Sequence, residues 1–144
     1  MKKTAINFES RHLARTYIVV DEELTTAEEP AILAYFSVAI NYLQINEKVD
    51  RAIQKKLNVL FRKADSERPI IPCYLIGQLA KNDKYVDNTK GSELIEMALS
   101  YIHPAHQSVG GCCIRVDCKD VDKLLDFYNK NGFNQLQKNK DGDL

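Results

Sequence analysis

Hydrophobic and polar positions divide the chain into short apolar runs and spaced apolar stripes. Tyr17-Ile18-Val19-Val20 is β-branched and aromatic and predicts a strand. Ala31 to Ile40 (AILAYFSVAI) is nearly continuous apolar sequence, which predicts a strand buried on both faces. Asp21 to Pro30 joins them as an acidic, turn-prone hairpin connection. From Glu47 to Lys63 the period becomes helical, with Val49, Ile53, Leu57 and Leu60 on one face at about 100° per residue. Lys48, Arg51, Lys55 and Arg62 gather opposite, either as a solvated face or as a phosphate-contacting stripe. Asp65 to Pro69 closes that helix, because the residue before a proline avoids the helical region.

The next unit is a strand, a polar loop and a helix. Cys73 to Ala80 reads as the strand, Lys81 to Gly91 as the loop, and Ser92 to Leu99 as the start of a helix. Leu94, Ile95, Ala98, Leu99 and Ile102 share its inner stripe, while Ser92, Glu93, Glu96 and Ser100 point mostly outward. A glycine-marked turn into a helix start offers free N–H groups and a positive dipole end, which suits an anion. Pro104 should end this helix, leaving His103 and His106 in a loop. Gly111 to Asp117 predicts another strand, and Asp120 a cap for a helix with Val121, Leu124, Leu125 and Tyr128 on one stripe. Asn131-Gly132 ends that helix and Phe133 begins a short last strand. Met1 to Arg15 holds at most one short helix, and the tail from Lys138 to Leu144 is polar and prone to fray. A hairpin followed by alternating helices and strands implies an α/β chain: a mixed sheet with helices on both faces.

Composition narrows this picture only slightly. The 144 residues fit one domain, 1–144, with twenty basic against twenty acidic residues, so bulk charge points to neither nucleic acid nor membrane. No apolar run approaches the ~20 residues that span a bilayer, and Met1 to Glu9 contains no signal-peptide core; a cytoplasmic location is expected. Cys73, Cys112, Cys113 and Cys118 form no C-x-x-C pair, so small buried hydrophobes are a better reading than zinc ligands, and no metal is expected.

Leu75-Ile76-Gly77-Gln78-Leu79-Ala80-Lys81, Gly91-Ser92-Glu93-Leu94-Ile95, Val116-Asp117 and Phe127-Tyr128-x-x-x-Gly132-Phe133 occur in that order. This series resembles the GNAT family of N-acetyltransferases, in particular its toxin-type branch. Arg15-Thr16-Tyr17 and Tyr35-Phe36-Ser37 are similar to that branch's second and third strands. The resemblance implies a mixed, mostly antiparallel sheet with two splayed parallel strands, Cys73–Ala80 and Gly111–Asp117. It implies acetyl-CoA as co-substrate, held by Leu79, Ala80 and Lys81 along the pantetheine arm. Lys90, Gly91 and Ser92 would meet the pyrophosphate, and Asp117 belongs to the matching cofactor-side motif. Tyr128 matches the tyrosine that protonates the departing CoA thiolate. The resemblance also implies a primary amine as acceptor, with charged tRNA held through Arg51, Lys55 and Arg62 as one candidate, and a homodimer as a further candidate partner.

Two departures accompany the match. Where the family reads Gln/Arg-x-x-Gly-x-Gly/Ala, this chain has Val86-Asp87-Asn88-Thr89-Lys90-Gly91, in which only Gly91 survives. Thr89 replaces a glycine used for close approach to phosphate, and Asp87 adds a repelling charge that Lys84 and Lys90 offset in part. The family's first strand and helix also have no counterpart, making this an N-terminally shortened version. Its acceptor side is then open, completed by a partner subunit, or built from the Val49–Phe61 helix. Gln78 lies on the right strand but takes no proton, which leaves water or a backbone-held amine to serve as base.

Overall fold

The computed structural model describes residues 2–45, 49, 52, 53, 55 and 70–138. The elements run α1 (Lys2–Ser10), β1 (Arg15–Asp21), β2 (Ala31–Gln44), β3 (Ile70–Lys81), a 3-10 turn (Asp83–Tyr85), α2 (Gly91–Val109), β4 (Cys113–Val116) and α3 (Asp122–Lys130). Ala52, Ile53 and Lys55 are helical, whereas the rest of the expected basic stripe, Lys48, Arg51 and Arg62, lies outside the described residues. The four strands form one mixed sheet in the order β1-β2-β3-β4. β1 pairs antiparallel with β2 from Arg15↔Val38 to Asp21↔Ala31, with a bulge at Val19/Val20.

The chain separates into two compact units, Met1–Ile40 with Leu75–Gly110, and Asn41–Tyr74 with Gly111–Leu144. In the first, Leu33, Ala34 and Leu94 form the core, with Val19, Leu79 and Tyr85 against it. Tyr17 stacks on Phe36 and Tyr101, with ring centroids 5.2 and 3.9 Å apart. The stripe predicted for α2 is buried at Leu94, Ile95, Ala98 and Ile102, each large side chain contributing about 1.5–3 kcal/mol. In the second, Leu43, Ile45, Val49, Ile71 and Cys73 form the core, and Ile53, Cys113 and Leu136 pack on it.

Several expectations from the sequence are corrected. α2 continues through Pro104 to Val109, so His103 and His106 are helical. The proline removes only its own donor toward the Ser100 carbonyl, and the helix ends instead at Gly110, whose N–H bonds His106 O at 2.9 Å. Asp120 does not cap α3: Val121 is the N-cap, and the Asp120 carboxylate pairs with Lys138. The α3 stripe is only partly covered, with Val121 and Leu124 exposed. Ile40 is 77% exposed, so β2 is covered over Ala31–Phe36, open at Ile40 and buried again at Leu43. The strand expected over Gly111–Asp117 contracts to Cys113–Val116, leaving Cys112 exposed in a bend. No strand forms at Phe133 among the described residues; Leu136 packs on the core and Gln137 Nε2 donates to Gln44 O at 2.8 Å. Gly132 does end α3 in the expected way, with φ of 87° and the Phe133 N–H bonding Tyr128 O at 3.0 Å.

Candidate functional site

The site residues expected from the sequence fall in two places. Leu79, Ala80, Lys81, Lys90, Gly91 and Ser92 belong to the first unit, and Asp117 and Tyr128 to the second.

In the first unit, β3 runs out at Lys81 and the chain is tied back at once. Asn82 donates its backbone N–H to Leu33 O at 2.7 Å and its side-chain amide to Ile32 O at 2.8 Å. Leu79 turns into the core, Ala80 is half-buried, and Lys81 donates through Nζ to the Val86 carbonyl. Lys84 places its ammonium 5.1 Å from the Tyr85 ring centroid. The loop closes on Thr89, 5% exposed, whose hydroxyl donates to Glu93 Oε2 at 3.1 Å. The same carboxylate oxygen accepts the Lys90 backbone N–H at 2.8 Å. Glu93 therefore folds back over the start of α2 instead of pointing outward. The Lys90 N–H, reinforced by Thr89, holds its carboxyl below the usual carboxylate range. The signal was present in the sequence as an acidic residue at the third helical position, where a side chain reaches back to the helix start. The N–H groups of Gly91, Ser92 and Glu93 still face out of the first turn by helix geometry. An arriving phosphate thus meets the N–H groups of the first turn together with one resident negative charge.

In the second unit, Tyr128 sits half-buried on α3. Phe127 and Phe133 lie edge-on to it, with centroids 5.1 and 5.8 Å away. Burial, reinforced by nearby Cys118, pushes its phenol above the ordinary 10.0, so the proton stays on at neutral pH. Asp117 is held by a bidentate ion pair, accepting from Arg115 Nε at 2.6 Å and Nη2 at 2.8 Å. Arg115 also donates to Tyr42 O at 3.1 Å, which makes Asp117 an anchor for the end of β4. Sequence reasoning missed this partner, although Arg115 and Asp117 lie on one face of an extended chain.

The chain is similar to AtaT complexed with acetyl-methionyl-tRNAfMet, with a TM-score of 0.70 and 19% identity over 99% of this chain and 76% of that one. A Tyr-to-Phe variant of KacT gives 0.71 at 19% identity over the same shares, and AtaTR bound with AcCoA gives 0.70 at 20% over 99% and 75%. The chain has the GNAT fold. No family profile matches the sequence, and no curated protein matches it. On this GNAT scaffold Leu79–Lys81 occupy the end of β3, Gly91 and Ser92 open the helix after it, and Tyr128 lies on the helix after β4. No helix among the described residues is long and apolar enough to cross a membrane.

Proposed function

We propose that the chain is an N-acetyltransferase that moves acetyl from acetyl-CoA to a primary amine. The observation that carries this is Tyr128, a protonated phenol in an aromatic nest on the helix after β4 of a GNAT fold. The amine nitrogen attacks the thioester carbonyl, backbone N–H groups at the end of β3 polarise that carbonyl, and the carbon–sulfur bond breaks. The thiolate takes the Tyr128 proton; the phenolate is reprotonated by the ammonium formed on the attacking nitrogen.

β3 has twelve residues and β4 only four. So short a neighbour pairs only part of β3, leaving backbone groups over Leu79, Ala80 and Lys81 for the amide-rich pantetheine arm. Gly91 and Ser92 offer their N–H groups to the pyrophosphate, with Lys90 as its cation. The solved neighbours support acetyl-CoA as the co-substrate, since AtaTR was solved bound with AcCoA. They also support charged tRNA as the acceptor, since AtaT was solved with acetyl-methionyl-tRNAfMet. In this chain Arg51, Lys55 and Arg62 would supply the phosphate contacts.

One observation favours a second reading, a GNAT-fold module without catalysis: the Glu93 carboxylate and Asp87 stand where pyrophosphate should be welcomed. Calorimetric titration with acetyl-CoA separates the two. A dissociation constant of about 1–100 μM supports the enzyme, and no measurable heat together with no turnover supports the module. Transfer of labelled acetyl to aminoacyl-tRNA, tested against free amino acids and peptide amines, then identifies the acceptor.

A further inference from the structure

The loop between β3 and α2 engages its own polar groups. The Asn82 N–H bonds Leu33 O at 2.7 Å, and the Tyr85 and Asn88 N–H groups bond Asn82 O and Tyr85 O at 3.0 and 3.1 Å. The Lys84 N–H bonds Asn82 Oδ1 at 3.1 Å, and the Lys90 N–H bonds Glu93 Oε2 at 2.8 Å. A phosphate cradle is built the other way. There, successive N–H groups converge on the anion because neighbouring residues pair right-handed with left-handed φ. Here φ is −84° at Asn82, −59° at Val86 and −93° at Lys90. Positive φ among the described residues is confined to His12, Gly110, Gly111 and Gly132.

The side chains of this stretch are engaged as well. Lys81 donates through Nζ to the Val86 carbonyl, Lys84 lies over the Tyr85 ring, and the Thr89 hydroxyl donates to Glu93. From Lys81 to Glu93 three lysines are matched by Asp83, Asp87 and Glu93, so the stretch carries no net charge. A diphosphate is drawn to the first turn of α2 and repelled by the carboxylate seated on that turn. The uncharged pantetheine arm meets no such opposition. Its amides ask only for backbone groups, such as those at the end of β3.

We propose that the acetyl donor is recognised through its pantetheine arm and not through its nucleotide, with Glu93 as the residue that sets this preference. Pantetheine thioesters lacking the nucleotide then serve as donors beside acetyl-CoA. The inference rests on the acetyltransferase reading for the identity of the thioester, and adds which part of that molecule is read.

Calorimetric titration with acetyl-CoA and with acetyl-pantetheine tests this without any acceptor. The two dissociation constants should lie within about tenfold of each other. A site gripping the diphosphate through two charge-assisted hydrogen bonds would separate them by about a hundredfold or more. Glu93→Gln should raise the preference for acetyl-CoA over acetyl-pantetheine about two- to fivefold, and Glu93→Asp, which keeps the charge, should not. Circular dichroism shows whether each variant is folded, and the wild-type ratio depends on neither. A wild-type preference for acetyl-CoA beyond about tenfold, or a ratio that Glu93→Gln leaves where it was, would overturn the proposal. Binding of neither compound would overturn it together with the acetyltransferase reading. Similar binding of both, with no acetyl transfer to any amine, would support the donor preference and overturn the acetyltransferase reading alone.

Discussion

The start of α2 and the nest around Tyr128 show two ways in which a helix can present a functional group. At α2 the chain satisfies its own helix end, with Glu93 taking the Lys90 N–H and the Thr89 hydroxyl. At α3 two aromatic rings lie edge-on to the phenol, and burial raises its pKa above the ordinary 10.0. The first arrangement stabilises the free protein and competes with a phosphate; the second encloses a neutral phenol among aromatic rings. In the proposed reaction, pyrophosphate meets a competing carboxylate at α2, whereas the thiolate meets a neutral phenol at α3. The contrast predicts a protein whose affinity is modest and whose chemistry is sensitive to one hydroxyl.

The largest expected effects probe the Tyr128 side. Cys73, in the core of the same unit, is pushed up to about 11 by burial and by Cys113 beside it. With an aromatic disulfide reagent at pH 8, it should react at least about a hundredfold more slowly than exposed Cys112. Equal rates would show that water enters the core around Cys73. Tyr128→Phe should lower kcat about a hundredfold with little change in acetyl-CoA affinity. In the wild type, loss of the phenolic proton should set in only above pH 10, because burial raises its pKa from 10.0. A profile that falls near neutrality would assign the acid role elsewhere.

Gly111→Ala asks whether the second unit depends on one backbone position. Gly111 has φ of 129°, and an added Cβ would stand 2.6 Å from Tyr74 Cε2. A loss of about 1–3 kcal/mol in denaturant unfolding is expected.

The smallest effect tests the self-capped helix. Glu93→Gln removes the resident charge and should tighten acetyl-CoA binding about two- to fivefold while lowering thermal stability. Because Glu93 has a depressed pKa, its stabilising contribution is present above its unfolded value of 4.5 and is lost as pH falls through the folded one. The stability gap between wild type and variant should therefore close in acid. Unchanged affinity would mean that pyrophosphate does not use this helix start.

Much of the framework was legible because it rests on local periodicity. The α2 stripe of Leu94, Ile95, Ala98 and Ile102 and the β-branched run at Tyr17–Val20 follow from side-chain spacing alone. The errors cluster where tertiary contacts decide. Pro104 looked like a terminator, yet a helix already anchored by a buried stripe tolerates one missing hydrogen bond. Asp120 looked like a cap, but Lys138, eighteen residues on, claims its carboxylate. Periodicity points Glu93 outward and the family resemblance puts Asp117 on the cofactor side, yet both are engaged by near neighbours: Thr89 and Lys90 for one, Arg115 for the other. Tyr128 was identified through resemblance to a family; its aromatic nest could not be read from spacing, because Phe133 returns to the ring only through the turn at Gly132.

The stack of Tyr17 and Tyr101 has a practical consequence in optical spectroscopy. The chain has seven tyrosines and no tryptophan, so its ultraviolet emission comes from phenols alone. Two rings with centroids 3.9 Å apart, one on β1 and one on α2, form a coupled chromophore within the first unit. Near-ultraviolet circular dichroism of that pair reports whether β1 is seated against α2. Tyr101→Phe provides the matched blank, giving a label-free signal for this unit.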